Sequence, residues 1–209
     1  MKRYFIAIVI ALIIIAFVWQ DFLLSNEGFS TITPLEAEQN YRYLHNEQVP
    51  REDISQLLVS NDQIVVYYDD VGIVNVYSWD GDYLYGIQID SVKNGHGDMS
   101  FHNNLLYIDA KRIYVINNGM VVDVFTRSEN YDAYKEAQTY MEGDPTTQIE
   151  GTTFYIIDNK IMKRVNNGPY QTVIVFPTKN PDAEWIALLI LFAIAGLMQY
   201  LKDEPKRIV

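Results

Sequence analysis

A mainly β domain flanked by two transmembrane α-helices is the fold class this sequence predicts. Three observations predict it. Tyr4–Trp19 is sixteen residues without a charge or an amide side chain, and Trp185–Leu201 is seventeen without a charge. The segment between them is acidic and rich in alternating Val, Ile and Tyr. Within that segment a strand–turn–strand pattern recurs three times.

The first element, residues 1–24, reads as an N-terminal membrane anchor. At 1.5 Å per residue its apolar run is about 24 Å long, and the second run, within 183–201, about 26 Å. Both approach the roughly 30 Å of a hydrocarbon core once their flanks are counted. Trp19 and Trp185 fall at the same interface, where indole rings favour the headgroup level. Lys2 and Arg3 precede the first run, and Lys202, Lys206 and Arg207 lie in the tail at 202–209. Basic flanks stay on the cytoplasmic side, so both termini are expected there and the middle segment is expected outside. A cleaved signal peptide would need a small-x-small cleavage site; Ile15–Asp21 has none, so the reading is an uncleaved anchor. Ala7 and Ala11 match Ala193 and Gly196 in depth, and small residues there would let the two helices approach closely.

Composition supports this placement. The tails hold five of 16 basic and two of 27 acidic residues, leaving the middle with 11 against 25, a net of −14. Such a charge disfavours nucleic acid or anionic lipid as a partner of the domain. There is no cysteine, which rules out disulfides, thiolate chemistry and thiol-anchored lipid. With no Asn-x-Ser/Thr sequon either, the composition reads as a bacterial cell-membrane protein.

Residues 25–50 read as a neck or linker. Thr33-Pro34-Leu35-Glu36 combines a capping residue, proline at the first helical position and glutamate three after the cap, which predicts a neck helix over Pro34–His45. The β-repeat domain is expected over 51–182. Asp53–Ser60 offers one strand. Three units follow. The first runs Ile64–Asp69, Ile73–Ser78, a turn at Asp80-Gly81, then Tyr83–Ile89. The second runs Leu105–Asp109, Ile113–Ile116, a turn at Asn117-Asn118-Gly119, then Val121–Phe125. The third runs Phe154–Asp158, Ile161–Val165, a turn at Asn166-Asn167-Gly168, then Thr172–Phe176. Asp-Gly and Asn-Gly supply the positive φ angles of tight hairpins. An aspartate closes the first strand of each unit, at Asp69, Asp109 and Asp158, with intervals of 40 and 49 residues. The longer interval is explained by an inserted helix over 128–142. There Tyr131, Tyr134, Gln138 and Met141 keep helical spacing, Ser128 is placed to cap, and Gly143-Asp144-Pro145 would end the helix.

Units of this length suggest propeller blades. Ile64-Val-Val-Tyr-Tyr-Asp69 and Val76-Tyr-Ser-Trp-Asp-Gly-Asp-Tyr-Leu84 carry the rhythm of a strand, an aspartate, then Asp-Gly-x-hydrophobic. On those residues the chain resembles the bacterial six-bladed β-propeller proteins of the NHL/YWTD type, over roughly 53–176. The resemblance implies a partial propeller. A closed one needs at least four blades, and three units fit. The exposed edges would then be joined by a second chain, covered by the helices, or avoided in a sandwich.

One polar cluster offers metal chemistry. His96, Asp98 and His102 lie within seven residues, with glycines on both sides of His96, and could hold a divalent ion such as Zn²⁺. The spacing matches no known signature, and the plain alternative is a loop between units. Asp69-Asp70 and Asp80-Gly-Asp82 are short of an EF-hand pattern, and a carboxylate pair of Asp90 and Asp98 has nothing to single it out. No Gly-x-Ser-x-Gly, phosphate-cradling loop or His-Glu-x-x-His occurs. The expectation is therefore no cofactor, with a divalent metal as the exception.

Together these features imply a binding or scaffolding module of the cell envelope, or an accessory subunit of a membrane complex. Its partners would be membrane lipid, another membrane protein, or a second copy. Exposed members of the sixteen tyrosines would supply stacking surface. The alternative is a cell-surface hydrolase or metal-binding enzyme built on Gly95–His102.

Overall fold

The computed structural model describes residues 29–36, 39–60, 62–90, 97–141 and 146–177. The chain divides into two compact units, Met1–Gly28 with Pro177–Val209, and Phe29–Phe176. The described fold is the second unit. Trp19, Trp185, Ala7, Ala11, Ala193 and Gly196 lie outside the described residues, as do both apolar runs. Among the described residues, no helix is long and apolar enough to cross a membrane.

Among the described residues the domain is mainly β: three antiparallel sheets and one helix. Sheet I contains β1 (Tyr41–Leu44), β2 (Gln56–Val59), β3 (Gln63–Tyr68), β4 (Ile73–Ser78) and β5 (Tyr83–Ile89), in the order β1-β5-β4-β3-β2. Sheet II is the meander β6 (Asp98–His102), β7 (Leu105–Asp109), β8 (Ile113–Asn117) and β9 (Met120–Phe125). Sheet III is the meander β10 (Gln148–Ile149), β11 (Thr152–Ile157), β12 (Lys160–Val165) and β13 (Tyr170–Val175). Helix α1 (Tyr131–Thr139) lies in sequence between sheets II and III. Each repeated unit thus forms its three expected strands with a fourth before them: β2, within the strand expected over Asp53–Ser60, and β6 and β10, which the repeat pattern does not include.

Two-residue hairpins fix the registers. Asn103 and Asn104, Asn118 and Gly119, Glu150 and Gly151, and Asp158 and Asn159 all take positive φ, as do Asn166 and Asn167 in the four-residue β12–β13 loop. Paired left-handed residues match the right-handed twist of the flanking strands. The three unit-closing aspartates diverge in role. Asp69 is buried and accepts a hydrogen bond from the Ser55 hydroxyl. Asp109 faces Asp98 across the β6–β7 ladder. Asp158 sits exposed in a hairpin turn.

Packing follows strand alternation. From β3, Ile64, Val66 and Tyr68 enter one core cluster with Phe154, Ile161, Ile174 and Phe176 of the sheet III segment. Val65 and Tyr67 enter another with Met99, Leu106, Ile108, Tyr114 and Ile116 of sheet II. Sheet I is therefore covered on both faces, which is why every residue from Ile64 to Tyr68 is buried. The other face of sheet II packs Tyr107, Ile113 and Val115 against Ala137 and Met141, from α1 and the residues just after it. The layer order is sheet III, sheet I, sheet II, helix. Ile157, Tyr170 and Val175 remain exposed on sheet III.

Two expectations are corrected here. The neck helix over Pro34–His45 does not form: Tyr41–Leu44 is strand β1, paired antiparallel with β5 from Tyr41↔Ile89 to Leu44↔Gly86. Without β1 the N–H and C=O groups of β5 would form an open edge, and satisfying that edge outweighs a local capping signal. The Thr33 carbonyl, instead of starting a helix, accepts hydrogen bonds from Arg42 Nη2 (2.8 Å) and Gln88 Nε2 (3.1 Å). Nor is the described part of 25–50 a linker. Phe29 and Ile32 pack on the first cluster, Val49 is buried in it, and Ser30 and Val49 exchange two hydrogen bonds.

The inserted helix forms but starts later than expected. Asn130, not Ser128, is its N-cap residue, and no side chain caps it. The Thr126 hydroxyl accepts from the Glu129 amide (3.2 Å) and the Thr126 carbonyl from the Asn130 amide (3.0 Å), a local turn that delays the helix. Gly143-Asp144-Pro145 lies outside the described residues.

Candidate functional site

The expected metal cluster is only partly described, because His96 lies outside the described residues. Its two proposed partners are the opposite ends of strand β6, Asp98 and His102. Four strand rises separate their Cα atoms by about 13 Å, too far for one ion with bonds near 2 Å. Each is also engaged elsewhere. Asp98 accepts from Gln56 Nε2 at 3.2 Å, and the His102 ring stacks on Tyr140 with centroids 3.9 Å apart and planes 7° from parallel. Strand β6, not a wrapping loop, carries Asp98 and His102, and it does not bring these two together. Among the described residues no group of three His, Cys, Asp or Glu side chains converges to hold a metal ion. Asp90 is likewise paired with Arg112 rather than with Asp98.

The geometry offers a different site. A cleft of about 1010 Å³ opens where sheet I, sheet II, the end of α1 and the start of sheet III meet. Sheet I contributes Leu58, Val59, Ser60 and Tyr85; Asp62 and Gln63 lie at the start of β3. The β6–β7 hairpin contributes Phe101, Asn103 and Asn104, and the β8–β9 hairpin Asn117 and Asn118. Tyr140, Met141, Thr146 and Ile149 complete the wall.

Local bonds hold these walls in place. The Val59 amide donates to the Thr146 carbonyl at 2.8 Å, tying β2 to the approach to β10. Trp79 Nε1 donates to the Ser60 carbonyl at 2.9 Å. The Ser100 hydroxyl donates to the Tyr140 carbonyl at 2.7 Å, tying β6 to the end of α1. Tyr107 meets Tyr140 edge-on, with centroids 5.3 Å apart. Asn103, Asn104 and Asn118 owe their positions to their left-handed turns, so their amides are presented by backbone geometry.

The described lining of the cleft differs in charge from the chain as a whole. Of its described lining residues only Asp62 is charged, and it accepts from the Ser60 hydroxyl at 3.1 Å. Burial pushes the Tyr85 phenol up to about 12, with a smaller lowering by a backbone bond from Gly119 and a further rise from Asp62. Tyr85 therefore stays a neutral donor at physiological pH, 3.4 Å from Gln63 Oε1. The Tyr140 phenol is raised chiefly by its hydrogen bond to Glu136. The described wall thus supplies amides, hydroxyls, aromatic faces and one carboxylate.

The sequence reading missed this cleft. It located the Asn117-Asn118-Gly119 turn but gave it only a structural role. It passed over Asn103-Asn104, although an Asn pair between Phe101-His102 and Leu105-Leu106 is itself a hairpin signal.

No family model and no curated protein matches the chain. Among solved structures it is similar to the computationally designed Ika4 protein, at 12% identity over 63% of this chain and 95% of that one, with a TM-score of 0.16. A likeness of that size bears neither on the propeller resemblance nor on function.

Proposed function

We propose that this protein is a membrane-anchored, extracytoplasmic binding module of the bacterial cell envelope, which presents the cleft between its sheets to a ligand. The observation that carries the reading is where the folded unit begins and ends. Phe29 and Phe176, its two terminal residues, both pack in the core cluster between sheets I and III. A folded unit whose first and last residues share one cluster suits a domain held by both ends at one membrane surface. The basic tails beyond the two apolar runs support a cytoplasmic position for both termini.

The cleft supports binding over catalysis. Its described lining holds one hydroxyl–carboxylate pair, Ser60 with Asp62, with no histidine in that lining to serve as base, and the histidine and aspartate on which the enzyme reading rested are separated along β6. The exposed apolar residues of sheet III support a scaffolding role beside ligand binding. Lys160 and Arg164 share that face, which favours an acidic surface on another membrane protein over an isologous contact with a second copy. On the finer fold, we read the three meanders as blade-like units stacked as a sandwich. Helix α1 covers sheet II where a following blade would lie, which favours the sandwich over a ring.

Alkaline carbonate extraction of cell membranes tests the anchoring. The intact chain is expected to stay in the membrane pellet; its release into the supernatant would overturn the proposal.

A further inference from the structure

We infer that the cleft takes an uncharged, hydroxyl-rich ligand, a glycan oligomer several sugar rings long. The inference rests on the binding reading above and names the class of ligand for that same site.

Four side-chain amides line one opening: Asn103 and Asn104 from the β6–β7 hairpin, Asn117 and Asn118 from the β8–β9 hairpin. A primary amide carries two donors and an acceptor. A sugar hydroxyl is likewise both donor and acceptor, so adjacent hydroxyls on a ring can bond an amide on both its sides. All four asparagines are exposed, so their amides are free of the buried core. The left-handed backbone at Asn103, Asn104 and Asn118 fixes where they point from, which lowers the entropy lost on binding. Phe101 and Tyr85 add apolar surface for the carbon faces of the rings.

Charge narrows the class. The chain carries a net −11, yet the described lining contains one carboxylate, Asp62, and no lysine, arginine or histidine. A phosphate, sulfate or carboxylate in the cleft would give up hydration without meeting a cation among the described lining residues. Among the described lining residues a polycation would meet one acid only. An uncharged polyol gives up no ionic hydration. Size agrees: about 1010 Å³ lies at the top of the range usual for small-molecule sites, room for an oligomer rather than one ring.

The test is calorimetric titration of the full chain in detergent micelles with chitohexaose, cellohexaose and maltohexaose, and with hexaglutamate as the anionic comparator. Saturable binding of at least one neutral hexasaccharide is expected. Asn104→Asp and Asn118→Asp keep residues that tolerate left-handed turns but replace the donors with charge, and are expected to weaken binding about tenfold or more. Tyr85→Phe keeps the ring and should weaken it a few-fold. Asn167→Asp changes the corresponding hairpin of sheet III, outside the cleft, and should leave binding unchanged. Far-ultraviolet circular dichroism and melting confirm that each variant is folded. No binding by any of the three sugars, equal binding by wild type and both aspartate variants, or tighter binding of hexaglutamate would each overturn the inference. Carbonate extraction reads the anchoring separately, so a failure here is not a failure there.

Discussion

Gly119 lies beneath the ring of Tyr85: a Cβ built on it would stand 3.0 Å from Tyr85 Cγ, and its φ is +81°. This contact joins the β8–β9 hairpin of sheet II to β5 of sheet I and closes one wall of the cleft. Gly119→Ala meets both a disfavoured backbone and a ring with little room to move. It is expected to destabilise the domain by more than about 1 kcal/mol. Urea denaturation followed by fluorescence checks the size of the loss; an unchanged midpoint would mean that the two sheets do not meet there.

Arg42 decides between a strand and a helix at the neck. Its guanidinium donates to the Thr33 carbonyl and to Gln88 Oε1, and Gln88 is 3% exposed. Arg42→Ala leaves that buried oxygen without its donor, so a loss of about 1–3 kcal/mol is expected in chemical denaturation. Were 34–45 a solvated helix, the same change would stay within about 0.5 kcal/mol.

Asp98 and Asp109 are directly opposed like charges. Burial first, then Asp98, raises the Asp109 carboxyl above its ordinary range, with a smaller lowering by Gln138. A carboxyl raised in the folded state destabilises the fold at neutral pH. That penalty is relieved as pH falls through the folded value. Asp98→Asn keeps an acceptor for Gln56 and removes the repulsion. It should stabilise the domain at pH 7 by about 0.2–1 kcal/mol, and the gain over wild type should shrink on acidification. Melting temperatures of both proteins across pH 4–8 measure this; a variant less stable than wild type at pH 7 would contradict it.

Ala137 is the buried contact of α1 on sheet II. Ala137→Leu overfills the space against Tyr107, Ile113 and Val115, at a cost of about 1–3 kcal/mol. A lowered melting temperature checks it, and an unaffected one would mean the helix does not seal that face.

What the sequence made legible was periodic and local. Strands such as Ile73–Ser78 and Leu105–Asp109 are short apolar runs of aliphatic and aromatic residues bounded by turn residues, which fixes their limits to the residue. What stayed hidden was tertiary. Tyr41–Leu44 becomes a strand because β5 offers an unpaired edge, and nothing within Thr33–His45 encodes that partner. In Asp98–His102 the alternation of Met99 and Phe101 was present, but the polar Gly-His-Gly-Asp run beside it drew a metal reading instead. The cleft was unreadable for the same reason. Asn104 and Asn118 are separated in sequence, and only the β6–β7–β8–β9 ladder brings their hairpins to one opening.

The placement of the domain outside the cell with both ends inside is the claim on which the functional account depends. The chain has no cysteine, so single cysteines report position without background. Met120→Cys places a thiol at one of the most exposed positions of the domain, and Lys2→Cys and Lys206→Cys place one in each tail. With a membrane-impermeant maleimide on intact cells, Met120→Cys is expected to label at once and the two tail variants only after lysis. Labelling of either tail in unbroken cells, or protection of Met120→Cys until lysis, would contradict the account.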